Sequence, residues 1–236
     1  MSYYQGCFRW CKKWCNVVSV VLFFSKCQLD YNIPKMQKFP GAYTMNEANE
    51  EIFDVVDENG IPTGTTVTRS GAHAEGIRHR TVHIWVIRNH NGRNEALLQK
   101  RALTKDSYPG YYDTSSAGHI QAGDAPLDSA LRELREELGI PAQKSDLSFA
   151  GTISIQSENI FHGHPFKDNE IAFVYIYKKS VDINSLVIQK EELDRVDWFD
   201  IETVYQACLP PRDSRFCVPL PGISLLRSYV SISNNP

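Results

Sequence analysis

The chain has 236 residues, 42% hydrophobic and 22% charged, values that exclude a disordered, collagen-like or coiled-coil protein. Its 25 Lys and Arg stand against 28 Asp and Glu for a net charge of -3, which excludes bulk nucleic-acid binding and leaves room for a nucleotide-sized ligand. No apolar run approaches the roughly 20 residues of a transmembrane helix, and the length fits one domain with appendages.

Residues 1–44 are read as an N-terminal extension and 45–236 as one domain with a C-terminal tail. Four of the six cysteines, Cys7, Cys11, Cys15 and Cys27, lie in the extension, and no acidic residue precedes Asp30. Arg9, Lys12 and Lys13 come before the apolar run 17–24, the order of a targeting segment. The run is short, Ser19 interrupts it and no clear cleavage site follows, so the expected location is the cytoplasm, with an organelle address through 1–44 as the alternative. The spacing of Cys7, Cys11 and Cys15 suits one stripe of a helix, for acylation or for packing. With no CxxC pair and no histidine before His73, no metal is expected there. Cys208 and Cys217 are too few for a disulfide framework.

From residue 51 the chain becomes regular. Residues 51–57 alternate, 58–60 supply a turn and 61–68 extend again, which predicts a hairpin. Residues 82–88 and 96–101 predict a second hairpin around the loop-like 89–94, 147–155 and 171–177 predict two more strands, and 200–208 a short helix capped by Asp200. The strongest helix signal is 124–139, with Asp124 as cap, Pro126 in the first turn and Gly139 as the stop. Leu127, Leu131, Leu134 and Leu138 form a stripe that faces the core, and Glu133, Glu136 and Glu137 are expected on the opposite side. Such acids usually form a solvated face. Three carboxylates at i, i+3 and i+4 nevertheless repel one another, and an oxygen-only donor set selects a hard cation such as magnesium.

Residues 118–140 read GHIQAGDAPLDSALRELREELGI. This stretch resembles the Nudix box: Gly118, Arg132, Glu133, Leu134, Glu136, Glu137, Gly139 and Ile140 match in register, and Asp124 stands where the pattern has Glu. The stretches FDVVDENGIPTG, HAEGIRHRTVHIWV, LLQKR and YPGYYDTSSAGHIQAGD extend the resemblance from about residue 51 to about 208. They are similar to a Nudix branch that includes the plant Nudix hydrolase 3 type and relatives of isopentenyl diphosphate isomerase.

The resemblance implies an α/β/α sandwich with a mixed sheet and hydrolysis of a small-molecule diphosphate of the nucleoside-diphosphate or isoprenoid-diphosphate type. It implies that Glu133, Glu136 and Glu137, with the carbonyl of Ala117, hold Mg2+ or Mn2+. Gly118 would let the chain approach phosphate and metal, and Arg132 would orient a glutamate. Arg101 and Lys105 are candidates for phosphate contact, and Glu170 for a further metal ligand or base. His73, His79 and His119 resemble metal-binding positions of the isomerase, with His83 nearby in sequence, while packing is the preferred reading for His79 and His83. The isomerase carries its acid/base cysteine where Ala117 stands, so isomerase activity is not expected. A non-catalytic nucleotide-binding module is the third reading, and its expected sign, erosion of Glu136 or Glu137, is missing. The oligomeric state is left open, a dimer being one option.

Overall fold

Strand β3 (His79–His90) is rich in β-branched and aromatic residues, and its first nine positions are all buried, the profile of a strand covered on both faces. It is the centre of a computed structural model that describes residues 50–233. The extension expected over 1–44, with its cysteine stripe and apolar run, lies outside the described residues. On one side β3 pairs in parallel with β8 (His164–Tyr177), His79 to Val86 lying against Glu170 to Tyr177. On the other side it is shared: β6 (Ser116–His119) runs antiparallel to Thr81–Ile84, and β4 (Arg93–Arg101) takes over beside Ile87–His90. β4 also pairs with β5 (Tyr112–Asp113) and β9 (Leu193–Asp200), and β7 (Leu147–Phe161) flanks β8. The result is a mixed seven-stranded sheet beside a separate hairpin of β1 (Ile52–Val56) and β2 (Pro62–Thr68).

Alternate residues of β3 feed two cores. Val82, Ile84 and Val86 pack with Leu134 and Leu138 of helix α2 (Pro126–Leu138). Trp85 and Ile87 pack with residues of α3 (Ile201–Cys208) and α4 (Leu220–Ser233). Helices thus cover both faces, which is the expected α/β/α sandwich. Among the described residues no helix is long and apolar enough to cross a membrane.

Local chemistry explains most boundaries. Asn91 and Gly92 both have positive φ, 51° and 79°, the turn that matches strand twist. The ladder therefore runs further into the expected loop 89–94, up to His90 and Arg93. Asp200 caps α3 as expected, accepting from the Thr203 amide at 2.9 Å. Asp124 does not cap α2: Ala125 holds the N-cap position without a side-chain bond, and Pro126 begins the helix. The preceding loop is held instead by Asp54, which accepts from Arg80 at 2.7 Å and from the Gly123 amide at 2.9 Å.

Strands β5, β6 and β9 are not among the expected elements, and three further features differ from the sequence reading. Residues 156–161 and 164–170 are strand, paired from Gln156 with Asn169 to Phe161 with His164. Their side chains are exposed or half-buried, so the arm lacks the apolar face by which a strand is recognised. Helix α1 (Arg69–Glu75) is too short for periodicity, and is closed by Thr68 at its start and by Gly76 in the left-handed region at its end. The expected C-terminal tail contains α4, whose Ile223, Leu226 and Val230 are buried against the sheet. Leu226→Ala should therefore lower unfolding free energy by about 2–5 kcal/mol, measured by denaturant titration, whereas substitution in an unpacked tail would have little effect.

Candidate active site

Helix α2 buries more than its leucine stripe. Leu134 and Leu138 are fully buried and Leu127 and Leu131 partly so, and the same helix also buries Glu133 and Glu137. At about 100° per residue, Glu136 alone stands opposite the stripe, and it alone of the three is exposed, with 48% of its side chain accessible. The expectation that all three acids project away from the core is corrected: two of them face β6.

Strand β6 makes room for them. A Cβ on Gly118 would lie 2.3 Å from the Glu133 carboxylate, so glycine is required for that carboxylate to lie against β6. The next residue back, Ala117, donates its amide to Glu137 Oε2 at 3.2 Å. Arg132 reaches Glu133 at 2.9 Å and Glu136 at 3.4 Å, and donates to the His119 carbonyl at 3.1 Å. Burial pushes Glu133 up to about 7, with Arg132 opposing the rise. It pushes Glu137 up to about 8, against the hydrogen bond from Ala117. These are carboxylates removed from water with too little positive charge nearby, the electrostatic condition that a divalent cation relieves.

A second donor set of different chemistry lies alongside. The ligand nitrogens of His73 on α1, His79 on β3 and His119 on β6 lie within 4.8 Å of one another. His73 and His119 approach at 3.2 Å. Glu170 Oε1 lies 3.8 Å from His79 and 4.0 Å from His119, and Asp168 lies 3.3 Å from His73. His79 is fixed by its Nδ1 contact to the Ile77 carbonyl at 2.9 Å, and its buried Nε2 has no hydrogen-bond partner. Burial lowers the pKa of His79 to about 4 and that of His119 well below its usual value, leaving neutral imidazoles, the metal-binding form. Phe53 stacks on His79 and His119, and Phe166 on His73. His79 is packed as expected, and also belongs to this cluster.

Glu170 lies within β8 rather than in a loop before it, accepting from the Thr81 hydroxyl at 3.2 Å, with its pKa raised by burial. The sequence reading missed Asp168 as its companion. Residues two apart on a strand share a face, so the Asp-Asn-Glu spacing carried that signal once 164–177 is known to be a strand.

One cavity of about 580 Å³ is lined by the three acids of α2, by His73, His119, Asp168 and Glu170, and by Arg101 and Lys105, with His79 buried beside it. Both cations are engaged: Arg101 donates to the Ser107 carbonyl and hydroxyl at 3.0 Å each, and Lys105 pairs with Glu192. A ligand phosphate would share them with these partners.

Two outcomes follow from this geometry. Gly118→Ala forces Glu133 away from β6 and should weaken divalent-cation binding by at least tenfold, about 1.4 kcal/mol or more, in titration calorimetry while the fold persists. The pH dependence has a defined sign. The folded chain binds more protons than the unfolded one wherever Glu133 and Glu137 are protonated only when folded, so their contribution falls as pH rises from about 4.5 toward 8. Below about 6.5 the depressed histidines act in the opposite direction, because only the unfolded chain takes up those protons. Between 6.5 and 8 the melting temperature measured in chelator should therefore fall with rising pH, and Glu137→Gln should flatten that slope.

Comparison with known proteins matches this arrangement to a family. The family model for the NUDIX domain matches residues 77–217. The chain is 38% identical over 155 residues to Nudix hydrolase 3 of Arabidopsis thaliana, an alignment that covers 65% of this chain and 20% of that protein. It is 35% identical over 144 residues to an uncharacterized Nudix hydrolase of Clostridium acetobutylicum, covering 61% of this chain and 67% of the relative. The chain thus spans about a fifth of the length of the plant relative. Among solved structures, DR0079 of Deinococcus radiodurans aligns with a TM-score of 0.54 at 16% identity, covering 76% of this chain and 99% of that one, a likeness of fold. With the helix, its glycine strand and its acids in the matched segment, this chain belongs to the Nudix hydrolase family.

Proposed function

We propose that the chain is a metal-dependent diphosphohydrolase that cleaves the diphosphate linkage of a small molecule. The observation that carries this reading is the burial of Glu133 and Glu137 against Ala117 and Gly118 at the wall of the cavity. Two buried acids with raised pKa values, an exposed third acid one turn along and an adjacent carbonyl form an oxygen donor set that suits Mg2+ or Mn2+. When bound, the ion supplies charge neutralisation of the diphosphate and a lower pKa for the attacking water.

The protein's own groups account for the rest. Glu133, Glu136, Glu137 and the Ala117 carbonyl hold the ion, and Arg132 fixes Glu133 in place. Arg101 and Lys105 meet phosphate oxygens at the cavity wall. A carboxylate, Glu133 or Glu170, accepts the proton of the attacking water, and the raised pKa values suit a base that works near neutrality. Residues 45–236 carry this activity, and residues 1–44 have no part in it.

The histidine cluster favours a second reading, an isomerase-like enzyme that binds its metal through nitrogen. Ala117 weighs against it, because a methyl group offers no proton to an alkene. The module reading loses weight for a different reason: all three box glutamates are present and two are held in place.

The test uses the purified full chain with magnesium or manganese against nucleoside diphosphate sugars, dinucleotide polyphosphates and isoprenoid diphosphates. Glu136→Gln, at an exposed position, should leave the melting temperature of the metal-free protein nearly unchanged. It should reduce turnover by about a hundredfold, nearly 3 kcal/mol of transition-state stabilisation. Near wild-type turnover in that variant would remove Glu136 from the site, and silence of the wild type on every diphosphate would favour a binding module.

A further inference from the structure

The open strand edges of the fold are not alike. β2 begins at Pro62 and carries Gly64 in the left-handed region, with φ 89°, and β9 carries Asp194, Arg195 and Asp197. Proline, a glycine kink and charge are the features that keep a strand edge from pairing with another chain. β7 is left open. It ends its sheet, pairs with β8 alone, and takes no backbone hydrogen bond from any other described residue. From Thr152 to Phe161 it has no proline, glycine or basic residue, and Glu158 is its single charge.

The side chains along this edge match a second copy of themselves. The register with β8 is a ruler that absorbs the bulge before Gly151. Phe149 pairs with Tyr175, Ile155 with Glu170 and Ile160 with Pro165, so Phe149 and Ile160 lie five ladder steps to either side of Ile155. A two-fold axis through Ile155 therefore sets Phe149 of one copy opposite Ile160 of the second copy, Thr152 opposite Glu158 and Ser154 opposite Gln156. These six residues share one face of the strand, and all six are exposed. Phe149 and Ile160 are the large apolar residues among them, 54% and 74% exposed. Apolar meets apolar, polar meets polar, and the charge of Glu158 meets a threonine instead of its own copy. Self-complementarity about one point is what a two-fold contact between identical chains requires, and a foreign strand has no need of it.

We infer that β7 is a homodimer contact: two copies pair antiparallel along residues 149–160 about Ile155, which joins their sheets into one. Because Ser154, Ile155, Gln156 and Ser157 also line the cavity, the strand of the second copy runs along its rim. The inference does not depend on which reaction the cavity performs.

Sedimentation equilibrium of the purified full chain in reductant tests it. The wild type should pass from monomer to dimer at micromolar concentration. Thr152→Glu sets like charges opposite each other at both symmetric places and should raise the dimer dissociation constant about tenfold, whereas Thr152→Lys sets opposite charges there and should leave the constant unchanged or lower it. Ile160→Asp, which presses a charge against Phe149, should also raise it by about tenfold or more. Melting temperatures taken at a dilution where the wild type is monomeric check folding, and Ile160→Asp carries the comparison if Thr152→Glu does not fold. A wild type that stays monomeric at its highest soluble concentration, or a dimer untouched by both acidic variants, would overturn the inference. So would a loss of dimer in Thr152→Lys equal to that in Thr152→Glu, because lysine blunts a strand edge against every partner and register except this one.

Discussion

The approach of the Glu133 carboxylate to a strand position that has no side chain is the contact on which the rest of the site depends. A Cβ at Gly118 would overlap that carboxylate, so Glu133 keeps this position against β6 only with glycine there. Once the helix is this close, Glu137 comes within reach of the Ala117 amide and Arg132 within reach of the His119 carbonyl. The far end of the helix is held equally tightly. Gly139 takes a left-handed conformation with the Val187 backbone where its side chain would be, and the Gln189 amide donates to the Glu137 carbonyl at 3.0 Å. The leucines on the neighbouring face supply the packing that keeps two acids buried against their preference for water.

Burial gives these acids their chemistry. A solvated glutamate is a weak ligand and a weak base near neutrality. A glutamate with its pKa raised to about 7 or 8 holds its proton near neutrality until a cation displaces it. The histidine cluster shows the same physics with the opposite sign: burial strips its protons and leaves nitrogen lone pairs facing one another. One cavity thus combines hard oxygen donors on α2 with softer nitrogen donors on α1 and β6.

The two hairpins, the helix ends at Pro126 and Gly139 and the Asp200 cap could be read along the chain, because each depends on neighbours a few residues away. Elements without a buried face or a full period escaped that reading. The arm 156–170 buries no residue fully, α1 spans barely two turns, and α4 shows its apolar residues only against a sheet formed by distant strands. Asp124 looked like a cap because the residue type is right for one, yet the loop is anchored through Asp54 and Arg80, contacts far apart in sequence.

The sequence by itself determined the family, the helix and the identity of the acids, since the box fixes residue types and spacing within a single turn-by-turn frame. It did not determine which acids are buried. A stripe of leucines marks one direction on a helix, whereas the buried face is set by what packs around it, and here β6 approaches about a quarter-turn away from the stripe, on the side of Glu137. Nor did it bring His73, His79, His119, Asp168 and Glu170 together. They come from four elements, and only the parallel pairing of β3 with β8, the antiparallel pairing of β3 with β6 and the placement of α1 close the distance between them. Short-range spacing decides which groups a chain possesses. The tertiary structure decides which of them lose their water, and with it their ordinary pKa and their partners.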